Sequence, residues 1–300
     1  MKRPRPAALL GMALLAALPL RAAGGPDLVC QVYVWTQHFA ARNSSFLDHI
    51  DEIFSKTREA GYRRVELMSA FVRTPELREQ TAASLRRHGL ELAALYHGGV
   101  FHEEAAAQTT LAETLEFAAV AQRLGCNRIN FNPSPKPGKA LKSEAELQVQ
   151  VRRLDRLGRE LRVRGMSLMV HQHDAEMREN AREWRYQLRH TDADLVGTCL
   201  DLHWVYRGGQ DPLELLRESG KRLTSLHLRN SRNGIWSETL DAGDIDYRAV
   251  QAYLRQTGYR GLLVVELAYE KATSITRPLE ENLRRSRLFA EEIFGGAGVN

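Results

Sequence analysis

Residues 144–173 read EAELQVQVRRLDRLGRELRVRGMSLMVHQH and hold one complete helix-to-strand unit. The stretch Glu144–Arg164 is long and amphipathic, the pattern of a helix that buries one face. Gly165 follows it, the residue type that lets a helix stop in a left-handed turn. Ser167–His173 is then a short strand in which Leu168 and Val170 alternate with Met169, His171 and His173. Alternate strand residues face opposite sides, so one face is aliphatic and the other turns ionisable toward its C-terminal end.

The same unit recurs along the chain. The other short runs are Leu28–Trp35, Arg63–Ser69, Glu91–His97, Arg128–Asn132, Val196–Val205, Leu223–Arg229 and Gly261–Ala268. Between them lie amphipathic stretches such as Leu111–Leu124 and Tyr247–Gln256, and Gly61 and Gly125 precede strands as Gly165 does. Eight strand–helix units in about 270 residues predict an α/β fold, a single-domain (β/α)8 TIM barrel, for which about 250 residues is typical. An open doubly wound sheet would place a Gly-rich phosphate turn after the first strand, where Trp35-Thr36-Gln37-His38 stands instead. Pro133–Gly138 reads as an extended loop after the fourth strand, and no linker marks a second domain.

With 43% apolar and 26% charged residues in 300, the chain has enough core for a large globular domain. Its formal charge of +5 is concentrated at the start: Lys2, Arg3, Arg5 and Arg21 precede any acidic residue, and without them 38 basic face 37 acidic residues. A nucleic-acid partner therefore has no compositional support. The cationic start, the apolar run Ala7–Leu20 and the small residues 22–25 predict a signal peptide over residues 1–24, leaving a barrel domain over 25–300. The expectation is an exported, periplasmic protein with no membrane attachment once the leader is cleaved. Cys30, Cys126 and Cys199 are scattered in or beside strands and read as buried free thiols.

Strands six to eight repeat the pattern of strand five. Cys199, Asp201 and His203 alternate with Leu200 and Leu202; Ser225, His227 and Arg229 with Leu226 and Leu228; Val264, Glu266 and Ala268 with Val265 and Leu267. Neighbouring strands are about 4.8 Å apart, so inward side chains from four successive strands converge. His171, Asp201, His227 and Glu266 then form a candidate site for one divalent metal ion, Mn or Zn in preference to Co or Mg, and less suited to Ca. Glu66, His97 and Asn132 at the tops of strands two to four, with Trp204, Arg229 and Trp236, are candidate substrate contacts. Asp201 is expected one layer deeper than His203, and His171 deeper than His173. His102-Glu103 opens like a zinc-protease helix but meets Ala106, which cannot ligate. Arg284, Arg285 and Arg287 read as a solvated helix face, and Asp244 and Asp246 as caps for the following helix.

Gly61–Leu67 (GYRRVEL), Val170–Glu176 (VHQHDAE), Leu200–Trp204 (LDLHW), Gly208–Pro212 (GGQDP), His227–Ser231 (HLRNS), Gly243–Tyr247 (GDIDY) and Val264–Leu267 (VVEL) occur in this order. Together they resemble the xylose isomerase-like TIM barrel superfamily, often labelled sugar phosphate isomerase/epimerase, over nearly the whole chain after the leader. The resemblance implies a divalent metal held by glutamate, aspartate, histidine and glutamate from strands five to eight, positions that fall on His171, Asp201, His227 and Glu266. Sugar 3-epimerases of the family use both glutamates as acid and base, and here only Glu266 is present. The His-x-His of strand five resembles an exported branch. A DNA-repair endonuclease of the same fold has a histidine three residues after the strand-six aspartate, where this chain has Trp204.

These readings predict a metal-dependent sugar isomerase/epimerase-type enzyme that abstracts a proton next to the carbonyl of a small-molecule sugar or keto-sugar. Glu266 is the expected base, and His173 or His203 the proton donor or metal-shell support. The alternatives are a lyase or dehydratase acting on a 3-keto-sugar or keto-glycoside, since one base and a metal start an elimination, and a non-catalytic polyol-binding protein on the same barrel.

Overall fold

The computed structural model describes residues 27–295, so the expected leader at 1–24 lies outside the described residues. Among the described residues ten strands occur in chain order: β1 (Asp27–Gln31), β2 (Arg64–Met68), β3 (Glu91–Gly99), β4 (Arg128–Pro133), β5 (Ser167–Val170), β6 (Val196–Asp201), β7 (Leu223–Leu228), β8 (Ser231–Arg232), β9 (Ile235–Trp236) and β10 (Leu262–Glu266). Eight of them close into a barrel in the order β1-β10-β7-β6-β5-β4-β3-β2, and β8 and β9 form a small hairpin at its mouth. All barrel pairings are parallel. This is the predicted (β/α)8 barrel and excludes the open sheet.

The helix Glu144–Val163 begins with a capping box, Ser143 accepting from the Glu146 amide while the Glu146 carboxylate accepts from the Ser143 amide. Gly165 after it takes φ +69°, a conformation that disfavours side chains, which is why the helix stops there. The outward strand residues Leu168, Val170, Leu200, Leu226 and Leu228 pack with helix residues such as Leu154, Leu157 and Leu161. Inside the barrel, Val29, Ala93, Ala94, Met169, Cys199, Leu262 and Val264 form a separate apolar floor. The polar ends of the inward rows sit above that floor, as in barrels generally. Cys30, Cys126 and Cys199 are buried and free, as expected. Among the described residues no helix is long and apolar enough to cross a membrane.

Three strands end three or four residues earlier than the sequence predicts, and β5 is one of them, stopping at Val170 so that His171 and His173 follow it. The run Leu28–Trp35 stops as a strand at Gln31, whose Oε1 accepts from the Tyr33 amide at 2.6 Å as the chain turns into the helix Tyr33–Ala40. The run Val196–Val205 stops at Asp201, whose Oδ1 accepts from the Trp204 amide at 2.8 Å and begins the helix Leu202–Arg207. Leu202 and His203 are therefore helical, and His203 does not continue the alternation of β6. At the ends of β1 and β6 a polar side chain turns back on its own backbone and supplies a helix start.

Candidate active site and metal centre

Register brings the four predicted ligands together. Asp201 lies beside His227, and Val264 beside His227 in turn, placing Glu266 one inward step higher on β10. His171 follows β5, and its amide still donates to the Phe131 carbonyl at 2.9 Å, which keeps its side chain in the inward row. One ligand atom from each of His171, Asp201, His227 and Glu266 falls within 4.8 Å of the others. His227 Nδ1 lies 2.8 Å from Glu266 Oε2, and His171 Nε2 lies 3.7 Å from Asp201 Oδ2.

The chemistry of this set fits a divalent cation. His171 Nε2 is buried and has no hydrogen-bond partner. Around it stand three buried carboxylates, Glu66, Asp201 and Glu266, against one buried guanidinium, Arg229, so a double positive charge completes the balance. Burial pulls the His227 ring toward neutrality, yet the Cys199 sulfur, Glu66 and Glu266 around it raise its pKa well above the usual value, which marks a spot that favours positive charge. Burial likewise pushes the Glu266 and Asp201 carboxyls up, but Arg229 and the neighbouring histidines hold both below the ordinary carboxylate range. Imidazole and carboxylate donors together suit Mn, Zn or Co.

A cavity of about 270 Å³ opens beside this cluster. Tyr33, Tyr96 and Tyr269 line it together with His173, Trp204, Arg229 and Trp236, and His171 and Glu266 connect it to the cluster. Glu266 has 12% of its side chain exposed, against 2% or less for the other three residues of the cluster, so it is the more accessible of the two carboxylates. Arg229 is clamped: its guanidinium carbon sits 4.9 Å from the Trp204 ring and 4.6 Å from the Trp236 ring, and Nη2 donates to Asp201 Oδ2 at 2.9 Å. Burial, aided by His171, lowers the His173 pKa to about 3, so its ring stays neutral and holds an added proton only weakly. The Glu176 carboxylate holds the His173 amide at 2.9 Å. Asp244 accepts from Ser231 Oγ and the Asn233 and Gly234 amides, fixing the β8–β9 turn that carries Trp236. Asp246, not Asp244, caps the helix Tyr247–Gln256.

Other predicted residues stand elsewhere. His203 does not line the cavity; its Nδ1 accepts from Arg229 Nε at 3.1 Å, so it steadies the guanidinium, and burial lowers its pKa to about 3. Glu66 is fully buried beneath His227, with Oε1 3.1 Å from Nε2. Asn132 Oδ1 lies 3.0 Å from His171 Nδ1. His97 turns outward, bonding Ser69 Oγ through Nδ1 at 2.9 Å and packing on Phe117. Its neighbour Tyr96 takes the cavity position, because β3 pairs Leu92 with Val65 but Ala94 with Glu66, and that extra residue reverses the alternation. Sequence reasoning also missed Gln31, Tyr33 and Tyr269, whose places depend on a strand end and on loops. Arg284 and Arg285 pair with Glu281 on the exposed face of the last helix.

The fold and site define a sugar isomerase/epimerase-like barrel. The profile of the family described as "Xylose isomerase-like TIM barrel" matches residues 54–293, and the chain belongs to that family. It is 25% identical over 254 residues to an inosose dehydratase of Geobacillus kaustophilus, covering 75% of this chain and 82% of the relative. It is 26% identical over 174 residues to an inosose dehydratase of Clostridium perfringens, covering 52% and 58%. Among solved structures, a D-allulose 3-epimerase from Methylomonas sp. in complex with D-allulose superposes with TM-score 0.70 at 15% identity, covering 90% of this chain and 98% of that one. A xylose isomerase domain protein from Alicyclobacillus acidocaldarius gives TM-score 0.66 at 20% identity, covering 90% and 97%.

Proposed function

We propose that this chain is a divalent-metal-dependent lyase acting on a keto-sugar or keto-polyol. It removes the proton next to the carbonyl and expels the hydroxyl, or another oxygen substituent, one carbon further on. The observation that carries this reading is the single carboxylate, Glu266, among the residues that line the cavity. Where the family's epimerases place a second glutamate, His171 turns Nδ1 to Asn132 and Nε2 to the ligand cluster, which leaves no free proton-accepting atom. Epimerisation by two opposed bases lacks its second base here, whereas elimination needs only one.

His171, Asp201, His227 and Glu266 would hold the ion. When bound, it supplies Lewis-acid stabilisation of the charge that develops on the substrate carbonyl oxygen. Glu266 takes the proton from the carbon beside the carbonyl. The electron pair of that C–H bond forms the new double bond, and the C–O bond one carbon further on breaks. The departing oxygen leaves with the proton that Glu266 returns on the same face. Trp204 and Trp236 meet edge to face at 80°, with Arg229 against both rings, and offer an aromatic corner for a polyol ring. The relatives named inosose dehydratase support this choice over the isomerase.

Incubation with keto-inositol and 3-keto-glucose in deuterated water tests it. An unsaturated, dehydrated product that fails to form after chelator treatment is expected. Solvent deuterium in a product of unchanged composition would instead establish the isomerase or epimerase, and binding with neither outcome a polyol-binding protein.

A further inference from the structure

Glu66 and Asn132 take no part in the chemistry above, yet each faces the back of one histidine ligand. Both are buried and neither lines the cavity. Glu66 Oε1 lies 3.1 Å from His227 Nε2; Asn130 Nδ2, 3.3 Å from that nitrogen, gives its hydrogens to the Glu66 oxygens at 3.3 and 3.2 Å, the stronger acceptors, and fixes the carboxylate in place. The opposite nitrogen, Nδ1, faces Glu266 at 2.8 Å. Carboxylates only accept, so an imidazole that gives its Nδ1 side to a cation keeps its one proton on Nε2, held by Glu66.

The arrangement at His171 is the reverse. Asn132 Nδ2 donates to the Pro133 carbonyl at 3.2 Å, so its oxygen faces His171 Nδ1, 3.0 Å away, and accepts. The His171 proton is thereby drawn to Nδ1, and the buried, unpartnered Nε2 carries the lone pair on the side of Asp201. Asn132 is matched to a histidine in particular, since a glutamate at position 171 would offer it no N–H.

We infer that Glu66 and Asn132 are positioning residues that lock His227 and His171 into opposite tautomers, Nε2–H and Nδ1–H, and so build the metal-binding face from behind. This rests on the metal reading proposed above. Groups behind metal-bound histidines set ring orientation and donor strength, and losing one typically costs about 10–100-fold in metal affinity.

The test uses Co²⁺ titration calorimetry of the purified protein and of Glu66→Gln, Asn132→Leu, His171→Glu and the Asn132→Leu/His171→Glu double variant. Glu66→Gln and Asn132→Leu are each expected to weaken Co²⁺ binding about tenfold or more. Against a His171→Glu background, Asn132→Leu should change affinity less than about twofold, because its N–H partner is gone. Equal losses in both backgrounds would mean that Asn132 merely supports the fold, and would overturn its assignment. Histidine ¹⁵N spectra of the Zn²⁺-loaded wild type give a second readout that needs no variant to fold: protonation of His227 at Nε2 and His171 at Nδ1 is expected, and one shared tautomer refutes the inference. A wild type that takes up no Co²⁺ removes the metal reading itself. Uptake by the wild type with unchanged affinity in both single variants removes only the positioning roles.

Discussion

Replacing Arg229 with methionine separates the two kinds of positive charge that this site can hold. The Arg229 and Asp201 side chains are 5% and 1% exposed and 2.9 Å apart, and Arg229 Nη1 lies 3.9 Å from Glu266 Oε2. Methionine keeps an apolar stem between Trp204 and Trp236 but leaves both carboxylates without their cation. Removing one partner of a buried pair costs about 3–5 kcal/mol, mostly from the stranded charge. At roughly 2 °C per kcal/mol for a chain of this size, the metal-free Arg229→Met protein should unfold about 6–10 °C below the wild type. Saturating Mn²⁺ should shrink that gap, because the ion neutralises the same oxygens, and by linkage the variant must then bind Mn²⁺ more tightly than the wild type. Scanning calorimetry with chelator and with Mn²⁺ measures both quantities. A loss below about 1 kcal/mol in chelator, or a gap that widens with Mn²⁺, would refute the view that Arg229 and the metal answer the same pair of carboxylates.

Asp201→Asn should fold, since its side-chain oxygen still accepts from the Trp204 amide, but lose most bound metal, whereas His203→Ala should retain metal and lose turnover by unseating Arg229; elemental analysis beside rate measurements distinguishes the two. Burial and the nearby Glu183 raise the Glu176 pKa from 4.5 to about 8, so the folded protein holds a proton that the unfolded chain releases as pH rises across that window. Wild-type stability should therefore fall relative to Glu176→Gln between about pH 4.5 and 8 and run parallel to it above, in urea unfolding series; parallel curves throughout would contradict this. Burial raises all three cysteine thiols, Cys126 to about 11, so an aromatic disulfide reagent should label none in the native protein and all three in denaturant.

The alternation of aliphatic and ionisable residues made the candidate metal cluster legible, because a parallel barrel translates period two directly into inside and outside. His171, His227 and Glu266 follow from that rule alone. What stayed hidden was every place where a side chain or an extra residue changes the period. The Asp201 carboxylate turns β6 into helix before His203, and the displaced register of β3 exchanges Tyr96 for His97. The placements of Glu66 and Asn132 were hidden for another reason. Each lies at a strand top, where substrate contact is the natural expectation, and only the observed contact, across the barrel for Glu66 and at the end of the neighbouring strand for Asn132, shows that it faces a histidine from behind.

Asp201 serves two structures with one carboxylate, Oδ1 starting the helix that carries Trp204 and Oδ2 facing His171 and Arg229. The spacing between ligand oxygen and aromatic wall is thus set by a few covalent bonds within a single residue, with no loop intervening. Thermal displacement of one carries the other in step, so a ring resting on Trp204 keeps its aim as the molecule breathes. Tyr33 and Tyr269 are held by other means: Gln31 Oε1 accepts from the Tyr33 amide, and the Gln37 side chain exchanges two hydrogen bonds with the Tyr269 backbone.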